Sequence, residues 1–180
     1  MEREEALNLI KKKVSNKNLI KHMMAAEAVM RRLAKHFGED EKKWALTGLL
    51  HDLDYDETHD KPDVHALKTA EMLQGKVDEE IIHAIKAHAD KAERKSLMDK
   101  ALYAVDPTTG FLVACALMAP GKKISSVDTG FALRRFKEKS FARGASREQM
   151  RTCEDLGLTL EEFFGLSLEA MNEISSELGL

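Results

Sequence analysis

Apolar residues recur in this chain at steps of three and four along most of its length, and only three prolines and ten glycines interrupt them. That spacing gathers them on one stripe of a 3.6-residue helix, whereas a strand would need strict alternation. The expectation is an all-α fold. Its 180 residues, 43% of them hydrophobic, suit one domain with its own core spanning residues 1–180.

Helix start and stop signals divide the chain. Helices are expected over Glu2–Val14, Leu19–His36 with Gly38 as its stop, and Asp40–Leu53 with Asp40 as cap. Further ones are expected over Val64–Leu73 and, capped by Asp78, Glu79–Ala89. Leu97–Val105 and Phe111–Met118 read as two helical segments separated by Asp106-Pro107-Thr108-Thr109-Gly110, because proline disfavours helix at the residue before it. Ser146 with Gln149, and Thr159 with Glu162, match the reciprocal capping box. Residues Asp54–Asp63, acidic and without periodicity, read as a solvated loop.

Composition excludes several classes. A net charge of -3 argues against a binder of nucleic acid or membrane along the whole chain. Cys115 and Cys153 are too few and too distant for a disulfide framework or a cysteine zinc site, so a reducing, cytoplasmic setting is expected. The acidic N-terminus does not resemble a secretory signal, and Phe111–Pro120 falls short of the ~20 apolar residues that cross a bilayer, so no membrane association is expected. Charge is nevertheless uneven: residues 119–151 carry +6 and residues 152–180 carry -7. Lys122, Arg134 and Arg135 in the basic stretch are candidates to hold a substrate phosphate, since a guanidinium fork matches phosphate oxygens. Phe131, Phe136 and Phe141 interleave with those charges, which suits either a nucleic-acid surface or core anchors on a helix.

Five of the seven histidines, His22, His51, His65, His83 and His88, fall in expected helices among apolar neighbours. A buried imidazole needs a hydrogen-bond partner or a metal. His83 and His88 lie five residues apart and diverge by about 140° around a helix, so they do not share a face; His88 is the candidate ligand and His83 a structural residue.

The ordered set His22, His51-Asp52, His65, His88 and Asp106 resembles the HD superfamily of metal-dependent phosphohydrolases, over about residues 18–118. Ala45-Leu-Thr-Gly-Leu-Leu-His-Asp and Ile85-Lys-Ala-His88 look like two of its landmark segments, and residues 119–180 form a helical extension beyond them. The resemblance implies that His22, His51, Asp52 and Asp106 hold one metal, that Asp52 bridges to a second, and that His65 and His88 complete the second site. It further implies His51 and Asp52 as the catalytic pair and metal-activated water as the attacking group, acting on a phosphoester or phosphoanhydride in a small, nucleotide-like substrate. Imidazole and carboxylate donors suit one or two ions of manganese, iron, cobalt, nickel or zinc better than magnesium. The rival readings are a non-catalytic nucleotide or metal sensor, and a nucleic-acid binder using residues 122–151. The chain departs from the commoner motif in carrying Leu53-Asp54-Tyr55, without a lysine, after the His-Asp pair.

Overall fold

The computed structural model describes residues 1–180 and contains helices and turns with no strand. The helices in chain order are α1 (Arg3–Lys13), α2 (Lys17–Phe37), α3 (Glu41–Leu50), α4 (Tyr55–Thr58), α5 (Leu67–Leu73) and α6 (Glu79–His88). They continue as α7 (Leu97–Met118), α8 (Thr129–Lys137), α9 (Arg147–Arg151), α10 (Leu160–Glu173) and α11 (Ser175–Leu178).

Side chains satisfy the backbone groups that helix ends leave open. Asn16 accepts from the N–H groups of Asn18 and Leu19, and Asp40 from those of Lys42 and Lys43. Ser96 and Thr159 close capping boxes with Asp99 and Glu162. Asp78 makes no such bond, and its carboxylate pairs instead with Lys43 at 3.1 Å. The box expected at Ser146 forms only in half: Ser146 Oγ accepts from Gln149 N–H, but the Gln149 side chain is used elsewhere.

Helix α2 is the central element, with α3, α7 and α10 packed on it. Buried side chains form two apolar clusters. The larger joins α2 to α7 and to the C-terminal elements through Val29, Leu33, Leu102, Phe111, Phe163 and Phe164. The smaller joins α1, α3, α5 and α6 to the start of α2 through Ile10, Met23, Leu49, Leu73 and Ile82. Phe136 and Phe141 pack on Phe111 with ring centroids 6.1 and 5.7 Å away, so the phenylalanines of the basic stretch serve as core anchors.

Helices α2 and α3 approach so closely that a Cβ on Gly48 would lie 2.6 Å from the carbonyl oxygen of Ala26. Gly48→Ala therefore forces the pair apart, at an expected cost of about 1–3 kcal/mol. It also displaces the Gly48 carbonyl, which accepts from His51 Nδ1 at 2.8 Å. The expected result is a thermal midpoint lower by several degrees; an unchanged midpoint in thermal denaturation contradicts this.

Helix α7 departs most from expectation. The two segments and the intervening Asp106–Gly110 form one helix of 22 residues with Pro107 inside it. Proline has no N–H to give the carbonyl four residues back, here Tyr103. Gln149 Nε2 donates to that carbonyl at 2.8 Å and replaces the missing bond. Asp106 is thus a helix-interior residue and not an N-cap. As one helix, α7 is long and apolar enough to cross a membrane by length and composition, which corrects the expectation based on Phe111–Pro120 alone. Much of it is enclosed by α2, α6 and the C-terminal elements, as in the core helix of a helical bundle.

Candidate metal centre

The tight α2–α3 contact brings His22, on α2, to the end of α3, where His51 and Asp52 begin the turn that follows. His88 is the last residue of α6, and Asp106 projects from α7 beside Pro107. His65, expected within a helix, lies in the turn before α5; its neighbour Ala66 is buried with φ 65°. That left-handed conformation is uncommon for alanine and turns the chain so that the His65 ring faces Asp52.

All six expected ligand residues converge, around the Asp52 carboxylate. Asp52 Oδ2 lies 3.5 Å from the Nε2 atoms of both His22 and His51. Asp52 Oδ1 lies 3.4 Å from His65 Nε2 and 3.6 Å from His88 Nε2. Asp106 Oδ1 completes the first group at 3.2 Å from His22 Nε2 and 3.7 Å from His51 Nε2. The donors His22, His51, Asp52 and Asp106 can hold one ion, and Asp52, His65 and His88 a second, with one carboxylate common to both.

The opposite ring nitrogens show that, when the rings are neutral, these Nε2 atoms present lone pairs. His51 Nδ1 faces the Gly48 carbonyl and His88 Nδ1 faces that of Ile85, so each Nδ1 carries the hydrogen. Thr109 Oγ1 donates to the Asp106 carbonyl at 3.1 Å and therefore accepts from His22 Nδ1 at 2.8 Å. His65 Nδ1 donates to Asp54 Oδ1 at 2.9 Å. His88 Nε2 is buried without a hydrogen-bond partner, and the Nε2 atoms of His22 and His51 stand 3.1 Å apart. An orphaned buried nitrogen and two opposed lone pairs require a proton or a cation between them. This donor set fits divalent metal.

Asp52 and Asp106 are both held well below the usual carboxylate range: burial opposes this, but His51, His22 and His88 outweigh it at Asp52, and His22 and His51 at Asp106. Burial disfavours the charged form of His22 as well, but its contacts with Asp106 and Asp52 prevail and push its pKa up to about 10. Without metal, His22 therefore keeps a proton at neutral pH. That proton stabilises the metal-free fold fully below the unfolded pKa of about 6.5, and the stabilisation is lost as pH rises toward about 10. Metal must displace it. Calorimetric titration in buffers of different ionisation enthalpy is expected to show proton release, with affinity rising about tenfold per pH unit over the neutral range. A pH-independent affinity contradicts this account.

The centre opens into a cleft of about 510 Å³. Tyr55 and Pro107 flank it, and Ala142, Gly144, Ala145 and Ser146, from beyond α7, form the facing wall. Arg147 holds that wall by donating to the carbonyls of Phe141, Ala142 and Ala145 at 2.6–2.9 Å. Lys122, Arg134 and Arg135 do not line the cleft. Lys122 is exposed in a turn, Arg134 lies 6.0 Å from the Phe131 ring, and Arg135 pairs with Glu138 at 2.8 Å, so the fold does not bring these three together with the metal-centre residues. Asp54 is buried, not solvated: it accepts from His65 Nδ1 and from Thr69 N–H. Asp56 accepts from Ser15 and Asn16. His83 contacts Asp99 at 3.1 Å, away from the centre, while His36 and His59 are exposed. Burial pushes the thiols of Cys115 and Cys153 up to about 12 and about 11, so neither is a ready nucleophile at neutral pH.

A family model described as HD domain matches residues 19–124. Ribonuclease Y of Oleidesulfovibrio alaskensis is 31% identical over 96 residues, and ribonuclease Y of Nitratidesulfovibrio vulgaris is 31% identical over 99. Each alignment covers 53% of this chain but 18% of the relative, so the chain spans under a fifth of those proteins. No solved structure matches it.

Proposed function

The chain belongs to the HD domain family, and on that premise we propose that it is a metal-dependent phosphohydrolase cleaving a phosphoester or phosphoanhydride in a small, nucleotide-like substrate. The observation that carries the reading is the division of one buried carboxylate: each oxygen of Asp52 faces its own pair of imidazole nitrogens. Divalent metal bound there supplies Lewis-acid charge and an acidified water. His22, His51, Asp52 and Asp106 are the proposed ligands of one ion, and Asp52, His65 and His88 of the other. Thr109, Gly48, Asp54 and Ile85 fix the rings and thereby keep each Nε2 directed at the centre.

The cleft walls carry no lysine or arginine, so neutralisation of substrate phosphate falls on the metal. Tyr55, 41% exposed and packed edge-on to His65 at 5.5 Å, offers a ring face for a base or sugar. The name ribonuclease Y supports phosphorus-oxygen chemistry. A small substrate is favoured over a polymer because the cleft lining itself holds no lysine or arginine to follow a polymer backbone. The protein purified without chelator is expected to hold manganese, iron, cobalt, nickel or zinc, and to hydrolyse a nucleotide or a generic phosphoester with manganese or cobalt. Stoichiometric metal with no turnover across phosphomonoester, phosphodiester and nucleotide panels favours a sensor. Tight, salt-dependent binding of RNA with no small-molecule turnover favours a nucleic-acid role.

A further inference from the structure

We propose that Gln149 is a positioning residue for Asp106, acting through the backbone of α7. Pro107 follows Asp106 directly and deprives the Tyr103 carbonyl of its helical N–H. The carbonyl is taken up by Gln149 Nε2, 46 residues away in sequence. Gln149 is itself fixed for this task. Its N–H is accepted by Ser146 Oγ at 3.2 Å, its carbonyl accepts from Thr152 Oγ1 at 2.7 Å, and the adjacent Met150 is fully buried. The Tyr103 ring is also held, with the Arg94 guanidinium 3.8 Å from its centroid. The turn thus stabilised also bears Thr109, whose hydroxyl orients His22. One amide outside the family-matched residues therefore sets two of the donors of the first metal group.

The inference rests on the metal reading above for its consequence, but not for the contact itself. Gln149→Met keeps the length and volume of the side chain and removes the donor. It is expected to weaken cobalt binding at the His22, His51, Asp52 and Asp106 group about tenfold, within the range known for groups that orient ligands. Binding at the His65 and His88 group is expected to be unchanged. Amide hydrogen exchange is expected to quicken in the turn from Ala104 to Gly110 and not across α10.

Pro107→Ala supplies the missing helical N–H and makes the glutamine dispensable. In that background Gln149→Met is expected to alter neither cobalt affinity nor exchange. A merely structural role would lower both cobalt affinities or only the thermal midpoint, and Pro107→Ala would not cancel the effect. Native cobalt binding in Gln149→Met, or an equal loss with and without Pro107, overturns the proposal. If the native protein binds no cobalt, the metal reading fails, and the exchange data alone decide whether Gln149 secures the turn.

Discussion

Asp52→Asn is expected to strip metal from both halves of the centre and to lower turnover by more than about a thousandfold, the scale reached when one decisive electrostatic group is removed. The side chain keeps its volume but presents one carbonyl oxygen and one NH₂ group where two carboxylate oxygens face four imidazoles. Whichever way the amide turns, one half of the centre meets a donor instead of an acceptor, and the other meets a neutral carbonyl that lacks the charge to offset an ion. Asp52→Ala is expected to give the same loss of metal. The helices pack through apolar clusters that do not include this side chain, so circular dichroism is expected to remain helical in both variants. Metal analysis of the purified variants checks the first part and single-turnover assays the second. Full metal content in Asp52→Asn rules out a shared carboxylate.

Asp54→Ala is expected to act on one half only. Asp54 is buried and accepts from Thr69 N–H at 3.0 Å and from His65 Nδ1 at 2.9 Å. Its removal leaves a buried backbone donor and a ring N–H without partners, at roughly 1–3 kcal/mol for each. The thermal midpoint is expected to fall by several degrees. His65, no longer held, releases its share of metal, while the His22, His51 and Asp106 group retains its cobalt spectrum. The Asp54 carboxyl lies below its ordinary pKa because His65 and Thr69 outweigh the cost of its burial. Its stabilising effect is therefore present above the unfolded value near 3.9 and is lost as pH falls through the lower folded value. In acid titration the stability gap between native and Asp54→Ala protein is expected to narrow as pH falls; a gap that does not change with pH contradicts the assignment.

The helices were legible because a 3.6-residue stripe is local information, and the order of histidines and aspartates singled out six residues that the fold brings together because the family pattern is written along the chain. What escaped was supplied from a distance. Pro107 reads locally as a break, and only Gln149, in another element, allows α7 to continue through it. Asp54 reads as one acid among several, and its burial follows from Thr69 and His65, eleven or more residues onward. Arg134 and Arg135 look free in the sequence, but the fold directs them to Phe131 and Glu138. Arg147 gave no local sign that it would hold the wall of the cleft, because backbone carbonyls leave no trace in composition.

The donors enter from five separate stretches, around residues 22, 51, 65, 88 and 106. During synthesis the chain emerges from its N-terminus. A nascent chain ending before Asp106 therefore lacks one member of the first donor group, and one ending before Gln149 lacks the amide that braces Asp106. The first donor group is thus complete only in a chain whose distant parts have already met, whereas Asp52, His65 and His88 are all present earlier.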